Sequence, residues 1–187
     1  TFFKSTAWEK NIPIVLGSLG DAAGVSRVYV FENHYNEEGL IFTTQTYEWV
    51  APGIEPQIDN KLLRDMSLTE IGFDRWETAL SRGEVVSGLV RTFPESEREL
   101  LGAQDIKSIA AVPIFVQERW WGFIGFDECC EEREWSPTEL DAMRVAADIF
   151  GAAEARARTE LALRRRQRTL NLLREIVQSA LQAADET

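Results

Sequence analysis

Cysteine is almost missing from this chain: its 187 residues hold two, the adjacent Cys129 and Cys130. A bridge between chain neighbours demands strained geometry, so no disulfide framework holds the fold, which suits a reducing compartment. Histidine is scarcer still, with His34 alone in a β-like segment. A single imidazole with no second one to join it is read as a strand-end residue, so neither a metal nor a haem site is expected. No apolar run approaches the roughly 18 residues that a membrane span needs. No basic stretch followed by an apolar one marks a secretory signal. Positive charge is in deficit, with 20 Lys and Arg against 31 Asp and Glu and a net charge of -11. A nucleic-acid partner is therefore not expected, because neutralising phosphate wants a basic face. The six arginines from Arg156 to Arg168 are a local exception, read as a solvated helix face. The expectation is a soluble, cytoplasmic protein without a membrane span, and Thr1 in the place of a methionine suggests an excised fragment.

What is present is a globular composition, 44% hydrophobic and 27% charged, with a length that suits one domain plus an appendage. Trp8, Ile12, Val15 and Leu19 recur at helical steps up to Gly24, although Pro13 should kink or split such a helix. Residues 25–35 and 40–50 are rich in Val, Tyr, Phe and Thr and flank the turn-prone Asn36-Glu37-Glu38-Gly39, which predicts an antiparallel hairpin. A Pro- and Gly-rich loop over 51–57 leads into expected short helices at 58–73 and 74–82. The second has Asp74 as N-cap, Glu77 in the capping-box position and Gly83 past its end. A brief strand at 84–87 and a short acidic helix at 94–103 follow. Residues 108–117 are apolar on both alternating faces, as in a central strand, with a bulge or unpaired side at Pro113. After a turn at 118–120, a strand over 121–127 closes a second hairpin, and its Gly122 and Gly125 allow close backbone approach.

Ser136-Pro137-Thr138-Glu139 is the strongest local signal, with a capping serine, proline at the first helical position and glutamate three residues after the cap. Only Gly151 interrupts the segment that follows, so the helix should run to about Ala183, roughly 47 residues and ~70 Å. Its first part can pack on a domain body. Beyond Gly151, Leu163, Leu170, Leu173 and Val177 fall near heptad spacing with Arg166 breaking the seam, which predicts a homodimer through the terminal helices. Folding back on the domain is the alternative.

The stretch Lys107-Ser108-Ile109-Ala110-Ala111-Val112-Pro113-Ile114 resembles the fourth strand of the GAF domain family. Trp121-Gly122-Phe123-Ile124-Gly125-Phe126-Asp127 is similar to its fifth, and Trp135-Ser136-Pro137-Thr138-Glu139-Leu140 to the opening of its last helix. The resemblance covers about residues 5–155. It implies an α+β fold: a five-stranded antiparallel sheet in the order 2-1-5-4-3, with the terminal helices on one face and a helical insertion on the other. It divides the chain into a sensor domain over 1–155 and a helical, coiled-coil-like linker over 156–187, whose tail from Leu170 to Asp185 also resembles the first helix of another sensor module. It implies a place in a bacterial or archaeal signalling protein, such as a sensor histidine kinase, covalently linked to an output domain.

Such a domain senses by closing a pocket between sheet and insertion. Tyr47, Trp49, Phe73, Trp76 and Phe93 offer rings, and Arg91, Asp105 and Ser108 polar contacts, for a planar or apolar small molecule of unknown identity. Each ring could equally fill the core. No cofactor is named by these residues: bilin attachment in relatives uses a cysteine in the insertion, and none lies there. The Asn-Lys-x-Asp-Glu signature of cyclic-nucleotide binders is missing, and no nucleophile motif accompanies His34, so no catalytic role is expected. A ligand-free dimerisation module is the rival function. A redox switch at Cys129 and Cys130 is disfavoured, because Glu131 and Glu132 should raise the thiol pKa.

Overall fold

The computed structural model describes residues 7–185, apart from the side chains of residues 7, 177 and 180–185. The elements run α1 (Ala7–Ala23), β1 (Arg27–Tyr35), β2 (Ile41–Val50), α2 (Asp74–Ser81), β3 (Val86–Leu89), α3 (Glu95–Gly102), β4 (Ser108–Val116), β5 (Arg119–Glu128) and α4 (Pro137–Asp185). The five strands form one antiparallel sheet in the order β2-β1-β5-β4-β3, as the motifs implied.

Period-two alternation gives the sheet two apolar faces. Val28 and Val30 of β1, Val112 and Ile114 of β4, and Ile124 and Phe126 of β5 pack against Ile12 and Leu16 of α1 and Met143, Ala147 and Phe150 of α4. On the other face Tyr29, Phe31, Ile109, Ala111 and Phe123 meet Leu63, Met66, Leu68, Phe73, Trp76, Leu80 and Leu101 of the insertion. Terminal helices and insertion thus take opposite faces.

Several local expectations need correcting. Pro13 lies inside an unbroken α1. Residues 58–73 hold only a 3-10 turn at Lys61–Leu63, N-capped by the Asn60 side chain, and a single bridge from Met66 to Thr43. Their apolar residues serve the core one at a time rather than along one helical stripe. Phe73, not Asp74, is the N-cap of α2, with no side-chain cap, and Glu77 instead accepts a hydrogen bond from Thr69. The β4–β5 hairpin turns on Gln117 and Glu118, both left-handed at φ 50° and 64°, the backbone of a two-residue type I′ turn that follows the strand twist. The β4 irregularity falls between Ile114 and Phe115, one residue beyond Pro113.

The capping box forms as the sequence spells it. Ser136 N donates to Glu139 Oε2 (2.8 Å), and Glu139 N donates back to Ser136 Oγ (3.3 Å). The Ser136 hydroxyl also donates to Glu139 Oε2 (2.6 Å), and that bond, with those from Ser136 N and the Arg133 guanidinium, holds the Glu139 carboxyl down at about 2. From this anchored start α4 runs 49 residues without a break. Gly151 lets it approach the sheet, since a Cβ there would lie 2.3 Å from the Phe115 carbonyl oxygen of β4. Trp8 of α1 donates to Glu154 of α4 (3.1 Å), and Arg158 lies over the Trp121 ring. Ala157 is the last buried residue of the helix among those described. Beyond it Leu163, Leu170 and Leu173 are each more than half exposed, and the Val177 side chain lies outside the described residues.

Candidate functional site

The sheet and the insertion enclose a small cavity of about 30 Å³, on the order of one water. Arg27, Tyr29 and Phe31 of β1 line it with Gln45 of β2 and Phe123 of β5. The insertion contributes Leu63, Met66, Leu68, Phe73, Trp76, Leu100, Leu101, Gln104 and Ile106. Alternation along β1 places residues 27, 29 and 31 on one face, and the Phe31 ring stacks on Phe123 at 4.8 Å. Opposite them, Trp76 is pinned by Glu97, a buried carboxylate that accepts from Trp76 Nε1 (2.9 Å) and from Arg75 Nε and Nη2 (3.1 and 2.6 Å). One acidic side chain thereby ties α2 to α3 and fixes the roof of the cavity.

The polar end is built by strand register. Arg27 and Asp127 face each other across the β1–β5 ladder and are 2% and 0% exposed. Arg27 Nη2 donates to the Gln104 carbonyl (2.8 Å) and to Cys129 Sγ (3.3 Å), while Nη1 stands 3.8 Å from Asp127 Oδ2. Tyr29 Oη donates to Asp127 Oδ1 (2.9 Å). Arg27 Nε, Gln45 Nε2 and Asp127 Oδ2 have no hydrogen-bond partner. Burial pushes the Asp127 carboxyl up to about 7, against the opposing pull of Arg27 and the Tyr29 hydrogen bond. Burial also lifts the Cys129 thiol to about 11, again with Arg27 opposing and Asp127 adding to it. The thiol is thus far from activated, as the sequence suggested, but burial is the largest cause rather than the Glu131-Glu132 pair.

The raised Asp127 pKa has a signed consequence for stability. A carboxyl that titrates higher in the folded chain than in the unfolded one adds stability below the unfolded pKa, near 4, and loses it as pH rises toward 7. Relative to Asp127→Asn, the wild-type chain should therefore lose urea stability between about pH 4 and 7, and the difference should level off above that. A difference that stays flat across this window would contradict the burial argument.

Of the eight residues expected to line a ligand pocket, Phe73 and Trp76 reach the cavity. Tyr47 and Trp49 do not join them. The β1–β2 register shifts between Val30 and Phe31, so that Val30 pairs with Tyr47 and Phe31 with Gln45, leaving Thr46 as an extra residue. Such a bulge reverses the facing of every later residue on the strand. Gln45 stays with the insertion, whereas Tyr47 and Trp49 pack with the terminal helices, the Trp49 ring filling the space beside Gly20 of α1. Phe93 packs at the edge of the insertion core under the Arg75 guanidinium. Arg91 is exposed and paired with Glu132. Ser108 is buried on β4, where its hydroxyl accepts from Arg133 N (2.7 Å). Asp105, left-handed at φ 60°, lines a separate open cleft of about 580 Å³ together with Gly53, Ile54, Glu55 and Lys107; Arg27, Ile106 and Cys129 border it too. Arg27, Tyr29, Phe31 and Gln45 were missed, although the alternation of residues 27–31 was a readable signal for three of them. His34 sits away from the cavity, 3.1 Å from Asp65.

The sequence profile of the GAF domain family matches residues 9–153. The methanogenesis regulatory histidine kinase FilI of Methanothrix harundinacea is 45% identical over 145 residues, 78% of this chain and 16% of that protein. An uncharacterized protein of Azorhizobium caulinodans is 27% identical over 153 residues, 79% of this chain and 20% of its own length. The chain thus spans a fifth or less of these curated relatives. Among solved structures, the third GAF domain of Slr1393 from Synechocystis, in its photoproduct state, superposes with a TM-score of 0.69 at 22% identity, covering 84% of this chain and 99% of that one. A domain of a two-component sensor histidine kinase protein from Sinorhizobium meliloti gives 0.65 at 16% identity, covering 86% and 99%.

Proposed function

The chain belongs to the GAF domain family, and on that premise we propose that it is the sensory module of a larger signalling protein. It occupies one end of a helical lever, α4, that passes the state of the insertion to an output domain. The observation that carries this reading is Phe115. Its ring packs against the insertion-side core, while its carbonyl oxygen occupies the space that a side chain at position 151 of α4 would need. One bulged residue of β4 therefore touches both the sensing face and the helix that leaves the domain. Packed elements of this kind shift between discrete arrangements rather than deform smoothly, which is what a transmitter requires.

The 45% identity to a histidine kinase supports an output of that class, and the family supports a regulatory rather than catalytic role. No helix among the described residues is long and apolar enough to cross a membrane, in keeping with a cytoplasmic reading. Residues 156–187 are read as the linker. Its exposed Leu163, Leu170 and Leu173 pair with a second copy in parallel, because an apolar stripe projecting from its domain is most readily covered by its own equivalent.

Light scattering should find the chain dimeric and Leu170→Glu monomeric with unchanged circular dichroism of the body. Joined to a histidine kinase core, the wild-type chain should support autophosphorylation, and the Leu170→Glu chain should support much less. Equal kinase activity in the two fusions would remove the lever from the account.

A further inference from the structure

The cavity is short of one kind of partner. Among its lining residues the fully buried side-chain atoms without a hydrogen-bond partner are Arg27 Nε and Gln45 Nε2, and both are donors. Their side chains are 2% and 6% exposed, so water cannot freely meet the demand, and a buried donor left unmatched is destabilising. Tyr29 and Gln104, the other polar residues on the wall, bond within the fold. Tyr29 Oη is spent on Asp127, the Gln104 amide donates to the Leu100 carbonyl, and the Gln104 carbonyl accepts from Arg27. Everything else facing the space is aromatic or aliphatic.

Arg27 is also loosely paired. Its carboxylate neighbour Asp127 stands 3.8 Å from Nη1, too far for a hydrogen bond, and gives its closest contact to a tyrosine. A guanidinium offers five N–H groups in a planar fork suited to two oxygens at once. Here both Nη2 protons are spent, on a carbonyl and a sulfur, which leaves Nε as the single buried donor without a partner on this side chain.

We propose that this cavity binds a small organic monocarboxylate, with its carboxylate on the Arg27 guanidinium and its apolar body among Tyr29, Phe31, Phe73, Trp76 and Phe123. The proposal rests on the sensory reading and names the chemistry of the effector. Arg27 and Ile106 border both the closed cavity and the open cleft beside it, so an acid arriving through the cleft meets the guanidinium first. Lys107 lies in that cleft with Arg27, while Glu55 and Asp105 oppose the approach of an anion, which favours a single carboxylate over a polyanion. The space present holds about one water, so the acid's body is admitted only as the part of the wall with least regular structure moves aside, the segment carrying Leu63, Met66 and Leu68, held by a 3-10 turn and one bridge to β2. Gln45 lies on β2 two residues past that bridge and receives a second acceptor atom or the water that accompanies the acid.

Calorimetric titration of the 187-residue chain with phenylacetate and hexanoate, beside phenylacetamide and hexanamide, separates charge from shape. At least one acid should bind, with its amide about tenfold weaker or worse, the scale of a charge-assisted hydrogen bond. Arg27→Met, checked for folding by circular dichroism, should abolish binding, and Gln45→Leu should weaken it several-fold. If Arg27→Met fails to fold, Gln45→Leu decides. Amides that bind as well as acids, no binding by either acid, or a folded Arg27→Met or Gln45→Leu chain of unchanged affinity would each overturn the proposal. The two readings fail differently: the kinase fusion tests the lever without any ligand, so an active wild-type fusion beside acid-blind calorimetry removes the carboxylate and leaves the sensor.

Discussion

Gly122→Ala is expected to be the most damaging single change in the sheet, costing on the order of 4 kcal/mol and leaving little folded chain at 37 °C. Gly122 pairs with Glu32 at the end of the β1–β5 ladder and with Ile114 of β4 beside the register shift. A methyl group there would lie 1.9 Å from the Phe31 carbonyl oxygen and 3.2 Å from the Glu32 Cα. Both are backbone atoms of a central strand, so no rotamer change relieves the clash. The Phe31–Glu32 end of β1 would have to part from β5 and the pairs beside it to shift. Urea unfolding followed by circular dichroism measures the effect, and a loss below about 1 kcal/mol would show that the two strands can separate more readily than their packing indicates.

Phe150→Ala is expected to cost ~3–5 kcal/mol, the range for emptying an aromatic position in a closed core. Phe150 is fully buried, edge-on to Trp8 of α1 at 5.1 Å and tilted against Trp121 of β5 at 5.8 Å. Its ring is where the two terminal helices and the sheet meet, immediately before Gly151. Tryptophan emission and far-ultraviolet circular dichroism, followed together through urea, should show lowered stability with coincident transitions. If emission changes well before ellipticity, α4 has come away from a body that remains folded, and the sheet and lever are less tightly joined than their shared core suggests.

The parts of the fold that lie close together in sequence were legible. Ser136 and Glu139 make their capping box within four residues, and the β1–β2 and β4–β5 hairpins close across short turns. The sheet order came from the family motifs rather than from periodicity. What escaped was non-local or depended on parity. Arg27 looks like a surface residue at the head of a strand until Asp127, a hundred positions later, stands across from it. Tyr47 and Trp49 share the spacing of Gln45, and a strict period of two would put all three on one face. The extra residue at Thr46 breaks that parity, and nothing in the local composition marks it. Residues 58–73 read as helical because their apolar residues are frequent, but these are drawn to the sheet singly along an irregular path, with Leu63, Met66 and Leu68 all buried.

The unbroken course of α4 sets a rule of phase for whatever is attached beyond it. Forty-nine residues at ~1.5 Å each make a rod of ~74 Å, and every residue added to or removed from its exposed half turns the far end by about 100°. Removing seven residues after Ala157 would return an attached domain to nearly its original azimuth, ~10 Å nearer. Removing three or four would carry it most of the way round or past a full turn, out of step with the seam of Leu163, Leu170 and Leu173. Tolerance to change in this stretch should therefore follow the heptad and not the number of residues lost.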